Sequence, residues 1–221
     1  MNLWNFHSHI SNTYSILNID LTEENKLPPP TSFYTLGLHP WFINDKQIIN
    51  SFKTALNKHQ KTNNLNKNKL IGIGECGLDR LKGPELSLQI QVLEQIFKLA
   101  QKNNLPIILH CVRSYPELIK IIKLNHQQIN IAVHGFSGGI NEAKTLIKYG
   151  VKLSFGKSLL FSLKLQNCLK FLSINDFFIE TDNSFIDINK IYHLVSKIKQ
   201  IQTPILAKQI QKNIFNFFAL S

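Results

Sequence analysis

Six residues of metal-ligand type recur at comparable places along the 221-residue chain. His7 and His9 stand two apart in FHSH, while Glu75, His110, His134 and Asp182 each close a separate apolar run. Histidines two apart on a strand present both rings to one face. Four imidazoles and two carboxylates make a donor set for one or two divalent ions, Zn²⁺ or Mn²⁺, with Mg²⁺ also conceivable. A lone strand-end histidine is more often a hydrogen-bonded structural group, and an HxH pair by itself is a weak sign of metal. Six together weigh more, because burying so many ionisable groups uncompensated is costly. If two ions bind, Glu75 can give one carboxylate oxygen to each. The chemistry on offer is hydrolysis by a water acidified toward neutrality. Asp182 is the candidate general base that orients this water, and Asp182 and Glu75 are the candidate catalytic residues.

Such a constellation needs elements that bring distant residues to one place. The apolar runs are LWNFHSH (3–9), YSILNI (14–19), FYTLGLH (33–39), KLIGIGE (69–75), PIILH (106–110), INIAVH (129–134), VKLSF (151–155) and FFIETD (177–182). Short runs rich in Ile, Val and Phe are expected to be strands buried on both faces of a parallel sheet. Between the later runs, residues 86–102, 115–124, 140–150 and 158–172 have helical periodicity, and Gly150 falls where a helix C-cap would. Residues 187–220 read as two helices around Thr203–Pro204. Eight strands alternating with helices predict a single (β/α)₈ TIM barrel over residues 1–221. The barrel is compact. Too few residues separate the first two runs for a helix, so the first crossover helix is missing or displaced. LTEENKLPPPTS (21–32) reads as a Pro-rich loop. In such a barrel the strand C-termini converge on the active-site face.

Other residues expected near that face carry two readings each. His39 contacts substrate or orients a ligand, and Arg113 binds a phosphate or pairs with a residue such as Glu117. Ser137 and Gly138 offer N–H groups to an anion or form a tight turn. Trp41 and Phe42 stack on an unpaired base or cover the rim. His59, His126 and His193 are expected to be solvated, and Cys76 and Cys111 to be small core residues pointing away from the site.

Composition narrows the partners. Three widely spaced cysteines suit free thiols in a reducing cytosol, and the absence of a signal-like N-terminus or a long apolar run predicts a cytoplasmic protein without a membrane segment. The net charge of +11 favours a polyanionic substrate, yet lysine supplies nearly all of it, as Arg80 and Arg113 are the only arginines. Enrichment in Lys, Asn and Ile together points to the coding bias of an AT-rich genome. No obligate protein partner is inferred.

FHSH at 6–9, GLHPW at 37–41, IGECGLD at 73–79, PIILHCV at 106–112, VHGFSG at 133–138, LSFG at 153–156 and IETD at 179–182 occur in an order that resembles the TatD family of metal-dependent hydrolases. These are (β/α)₈ barrels related to the amidohydrolases and often described as deoxyribonucleases. The resemblance implies metal ligands at His7, His9, Glu75, His110, His134 and Asp182. It groups His7, His9 and Asp182 around one ion and His110 and His134 around the other. It also implies a phosphodiesterase, exonuclease-like on DNA. The chain departs from the family pattern at Asn5, where the family has Asp, and at Arg113, one place later than the usual basic residue. It departs again at ETDNS, which lacks the usual proline, and in the shortened segment that follows. Asn5 is expected to share the inward face with His7 and His9 and to support them. Amide or ester hydrolysis is the alternative activity, and a non-catalytic barrel scaffold is the third reading.

Overall fold

The structure, a computed structural model, describes residues 2–23, 28, 32–62, 69–125 and 128–220. Its strands are β1 (Asn5–Ser8), β2 (Ser15–Asp20), β3 (Phe33–Leu38), β4 (Lys69–Asp79), β5 (Ile107–Val112), β6 (Ile131–Val133), β7 (Lys152–Phe155) and β8 (Phe177–Ile179). They lie in sequence order in one sheet, and every neighbouring pair is parallel. The sheet curls until its edges meet. Ser8 bridges Asp182, with Asp182 N–H donating to the His7 carbonyl at 3.1 Å and His9 N–H donating to the Asp182 carbonyl at 3.2 Å. This is the expected (β/α)₈ barrel, closed at a narrow seam.

The helical shell is incomplete. No α-helix lies between β1 and β2, and β2 is followed by a 3₁₀ turn at Leu21–Glu23. Six helices come later in the chain than the third crossover: α2 (Leu86–Asn103), α3 (Tyr115–Asn125), α4 (Ile140–Lys148), α5 (Leu163–Phe171), α6 (Ile188–Lys199) and α7 (Thr203–Phe218). Before them, α1 (Ile48–Thr62) fills the third crossover, where the pattern announces no helix; it buries only Phe52, Ala55, Leu56 and His59. Residues 158–172 form a 3₁₀ turn followed by α5 rather than one helix, because the Ser162 hydroxyl accepts the Leu165 N–H and starts α5 afresh. Gly150 takes φ +75° after α4, the left-handed backbone that ends helices. No helix among the described residues is long and apolar enough to cross a membrane.

Aromatic rings of α7 pack against the strands at the seam. Phe6 of β1 stacks on Phe178 of β8 with centroids 3.9 Å apart, and Phe217 and Phe218 meet Phe6 at 5.6 and 5.8 Å. Tyr192 of α6 donates its hydroxyl to the Trp4 carbonyl at 2.7 Å. The two C-terminal helices thus hold the first and last strands together and fix the seam that carries His7, His9 and Asp182.

Candidate metal centre

Glu75 is the centre of the barrel mouth, and it is 3% exposed. It does not close its strand, as the pattern suggested; buried Cys76 and Leu78 carry β4 on to Asp79. Its two oxygens face different residues. Oε2 lies 3.3 Å from His7 Nε2 and 3.4 Å from His9 Nε2, and Asp182 Oδ1 completes this side at 3.4 Å from His9 Nε2 and 3.8 Å from His7 Nε2. Oε1 lies 2.6 Å from both His110 Nδ1 and His134 Nε2, and 3.2 Å from His39 Nε2. All six residues selected by pattern therefore converge, and His39 joins them. Two donor clusters are compact enough for an ion, His7/His9/Glu75/Asp182 and His39/Glu75/His110.

A set of polar residues holds these groups from behind. Glu180, fully buried, accepts the Gly135 N–H at 2.7 Å and stands 3.5 Å from His134 Nδ1. Asp79 stands 3.3 Å from His110 Nε2 and accepts the Trp41 indole N–H at 2.6 Å. Asp20 accepts the His39 backbone N–H at 2.9 Å. None of the three is singled out by the sequence pattern, although Asp79 ends IGECGLD and Glu180 begins ETD, both beside a selected residue. Asn5 does not support His7 and His9 from the inward face. Its amide donates to Thr181 Oγ1 at 2.7 Å and its carbonyl accepts the Thr181 N–H at 3.0 Å. The register slips within β1, where Asn5 to Ser8 runs opposite Ser15 to Leu17, so simple alternation fails there.

The charges agree with this geometry. Burial would raise the Glu75 carboxyl, but the His134 charge and hydrogen bonds from His110, His134 and His39 hold it well below the usual carboxylate range. Burial would lower His134, yet Glu75 and Glu180 push it well above an ordinary imidazole. His9 also overcomes burial through Asp182 and Glu75 and is raised to about 9. Asp182 is lowered; burial opposes the shift and the His9 hydrogen bond drives it. His7 goes the other way. Burial, and then His134, lower it against the pull of Glu75, and neither ring nitrogen makes a well-formed hydrogen bond although the side chain is completely buried. A buried imidazole that faces the Glu75 carboxylate at 3.3 Å without a well-formed hydrogen bond fits a divalent ion and is poorly explained by packing alone.

Above Glu75 opens a cavity of about 380 Å³, bounded by His9, Asp182 and Asn183 on one side and by His39, Trp41 and Phe42 on the other, with Asn18, Asp20, Thr22 and Glu23 between them. No lysine or arginine lines it among the described residues. Arg113 is exposed with φ +51°, outside the cavity lining, and the Glu117 carboxylate is taken by Arg80 at 2.5 Å. The N–H groups of Ser137 and Gly138 are not open to an anion, since both donate to the Tyr115 hydroxyl at 3.1 Å. His59 is not solvated; it is 4% exposed, with Nδ1 3.1 Å from the Tyr34 hydroxyl. His193 is exposed, and His126 lies outside the described residues. Cys76, Cys111 and Cys168 are free and buried; burial pushes the Cys111 thiol up to about 12 and Cys76 higher still.

A parallel eight-stranded barrel with imidazoles and carboxylates gathered at its mouth defines a class of metal-site barrels. Residues 7–219 match the family model described as TatD related DNase, and the chain belongs to that family. A protein of Escherichia coli K12 named "Uncharacterized metal-dependent hydrolase YjjV" is 27% identical over 160 residues, covering 71% of this chain and 60% of the relative. The crystal structure of E. coli YjjV superposes with a TM-score of 0.77 at 20% identity, covering 94% of this chain and 86% of that one. A Vairimorpha ceranae protein named "Putative deoxyribonuclease TATDN1 homolog" is 28% identical over 164 residues, 73% of this chain and 56% of its own. The structure of an uncharacterized amidohydrolase from Saccharomyces cerevisiae superposes with a TM-score of 0.69 at 13% identity, covering 92% and 88%. At these identities the structural likenesses establish the fold. The chain spans about 60% of the length of the curated relatives it first matches.

Proposed function

We propose that this chain is a metal-dependent phosphodiesterase that cleaves DNA in the manner of an exonuclease, with two divalent ions, Zn²⁺, Mn²⁺ or Mg²⁺, on either side of Glu75. The observation that carries this reading is the division of the Glu75 carboxylate. One oxygen faces His7 and His9 beside Asp182, and the other faces His110 and His134. His7, His9 and Asp182 would hold one ion, and His110 and His134 the other. Such ions supply Lewis acidity and an acidified water when bound.

The protein's own groups do the rest. Asp182 is half exposed to the cavity and is kept ionised by His9, so it can take a proton from the attacking water and return it to the leaving group. His39 Nδ1 accepts the Trp41 backbone N–H at 3.2 Å, which leaves Nε2 as the donor, facing Glu75 at 3.2 Å in the metal-free chain and free to turn to a substrate oxygen once Glu75 holds an ion. Trp41 and Phe42 form a half-exposed aromatic wall on which an unpaired base can stack. Arg113, exposed just after β5 and outside the cavity lining, would meet phosphates of a longer strand. The deoxyribonuclease name of the Vairimorpha relative and the +11 charge support a nucleic-acid substrate. Three buried free thiols suit a cytoplasmic location.

One observation favours a second reading, amide or ester hydrolysis: among the described residues the cavity wall has no lysine or arginine to meet a phosphate. The experiment is cleavage of labelled single-stranded DNA against a panel of acyl amides, with Mg²⁺, Mn²⁺ and Zn²⁺ each supplied. Metal-dependent cutting of DNA is expected. Amide turnover without DNA cleavage would transfer the assignment to the second reading.

A further inference from the structure

We propose that Asp79 is a positioning residue that ties the His110 imidazole to the Trp41 wall, so that metal uptake at His110 and the placement of Trp41 form one coupled adjustment. The inference rests on the reading of His110 as a metal ligand. Asp79 ends β4 and is 3% exposed. Its two oxygens divide their donors. Oδ1 accepts the N–H groups of Leu81 at 2.8 Å and Lys82 at 3.1 Å, which fixes the turn after β4. Oδ2 accepts the Trp41 indole N–H at 2.6 Å and lies 3.3 Å from His110 Nε2.

A neutral imidazole has one donor nitrogen and one acceptor nitrogen. In the metal-free chain Nδ1 faces Glu75 Oε1 at 2.6 Å and shares a proton with it; once an ion takes the Nδ1 lone pair, the one remaining ring proton sits on Nε2, facing Asp79 Oδ2. A carboxylate in this place fixes both the tautomer and the ring orientation of a ligating histidine. Here the same oxygen also carries the indole. Lys82, whose N–H is held by Oδ1, sets its ammonium 3.4 Å from the Trp41 ring centre, and the Trp41 and His110 centroids are 6.2 Å apart. One buried carboxylate therefore holds a ligand, a wall and the turn that flanks them. If a bound ion draws electron density from His110, the Nε2–H bond to Oδ2 strengthens, and the indole sharing that oxygen must respond.

Zn²⁺ titration of the untagged, metal-free full chain, followed by calorimetry and tryptophan fluorescence, tests this. In the wild type, Zn²⁺ should change an emission component that Trp41→Phe lacks. An asparagine at 79 cannot accept from both pairs of donors, because one of its ends is itself a donor. In Asp79→Asn one Zn²⁺-binding step should therefore weaken by ~10–100-fold, and the Trp41 response should vanish. Thermal unfolding of the metal-free variant checks its fold. If Asp79→Asn does not fold, Trp41→Phe decides: weakening of the same step by roughly threefold is expected from loss of one shared hydrogen bond, and unchanged affinity overturns the coupling. Unchanged affinity at every step in a folded Asp79→Asn, or a retained Trp41 response, also overturns it while leaving the metal centre intact. Wild-type protein that takes up no Zn²⁺ would overturn both.

Discussion

In the metal-free chain, the negative charge of Glu75 is balanced by imidazoles that hold protons they would lose in water at neutral pH. His9 is raised to about 9, and His134 is raised as well. An ion entering among them must displace those protons, so Zn²⁺ uptake at pH 7.5 should release at least ~1 proton per chain. Calorimetry in two buffers of different ionisation enthalpy would read this release, and equal heats in both would sink the idea. The linked stability has a definite sign. A histidine raised from 6.5 to about 9 on folding stabilises the folded state fully below pH 6.5, and this contribution is lost as the pH rises through about 9. The melting temperature of metal-free protein should fall across that window, and saturating Zn²⁺ should flatten the dependence. Asn5 is a second case. Its hydrogen bonds to Thr181 need an acceptor for the Thr181 N–H and any partner for the hydroxyl, which can donate as well as accept. Asn5→Asp should therefore be tolerated within about 1 kcal/mol, whereas Asn5→Leu strands a buried N–H and should cost about 1–3 kcal/mol. Denaturant unfolding of the two variants checks the contrast.

At the scale of elements, the strands were the most legible part. All eight apolar runs are strands, because residues buried on both faces leave an unbroken hydrophobic signature. The ligand-type residues were legible for the same reason, since ionisable side chains stand out beside such runs. The pattern was silent where burial is sparse, as in α1, and where a turn restarts a helix, as at Ser162. It also missed Asp79, Glu180 and Asp20, because a carboxylate that supports a ligand resembles any other carboxylate until distances are known. Close approach of strands is equally invisible. A Cβ on Gly37 of β3 would sit 2.4 Å from both the N and the O of Glu75 and 2.7 Å from the carbonyl carbon of Gly74, all of them backbone atoms. Gly37→Ala must push β3 away from β4 beside the central carboxylate. It should cost roughly 2–3 kcal/mol and weaken Zn²⁺ binding together with stability. Gly150 has nothing within 4 Å but takes φ +75°, so Gly150→Ala should cost only about 1 kcal/mol and leave metal affinity alone. Matched melting curves and Zn²⁺ titrations of the two variants separate steric clash at the site from simple backbone strain.

Over the whole molecule, the charge distribution bears on which bond is cut. The chain carries +11, yet the cavity above Glu75 is lined by no lysine or arginine among the described residues. A phosphate at the reacting position would meet bound ions and His39 but no lysine or arginine among the described residues, and any wider electrostatic grip must come from the rim. Lys82 lies there on the Trp41 ring, and Arg80 and Arg113 follow β4 and β5, with Arg80 Nε donating to the Arg113 carbonyl at 2.9 Å. The only two arginines of a lysine-rich chain therefore sit side by side at the mouth. Arg80 is committed to Glu117, whereas Arg113 is exposed, so Arg113 and Lys82 are the cations to test. If the substrate is single-stranded DNA, its affinity should fall linearly with salt on logarithmic axes, with a slope of about −0.7 per phosphate contacted. Arg113→Gln and Lys82→Gln should each make that slope shallower by roughly 0.7 without altering the number of Zn²⁺ ions bound. A neutral acyl amide would bind with almost no salt dependence in any of the three proteins. Binding of labelled DNA measured from 50 to 300 mM salt in the wild type and both variants therefore distinguishes a rim that grips a polyanion from a charge that only reflects composition. Equal slopes in all three would assign the lysines to composition and leave Arg113 outside the site.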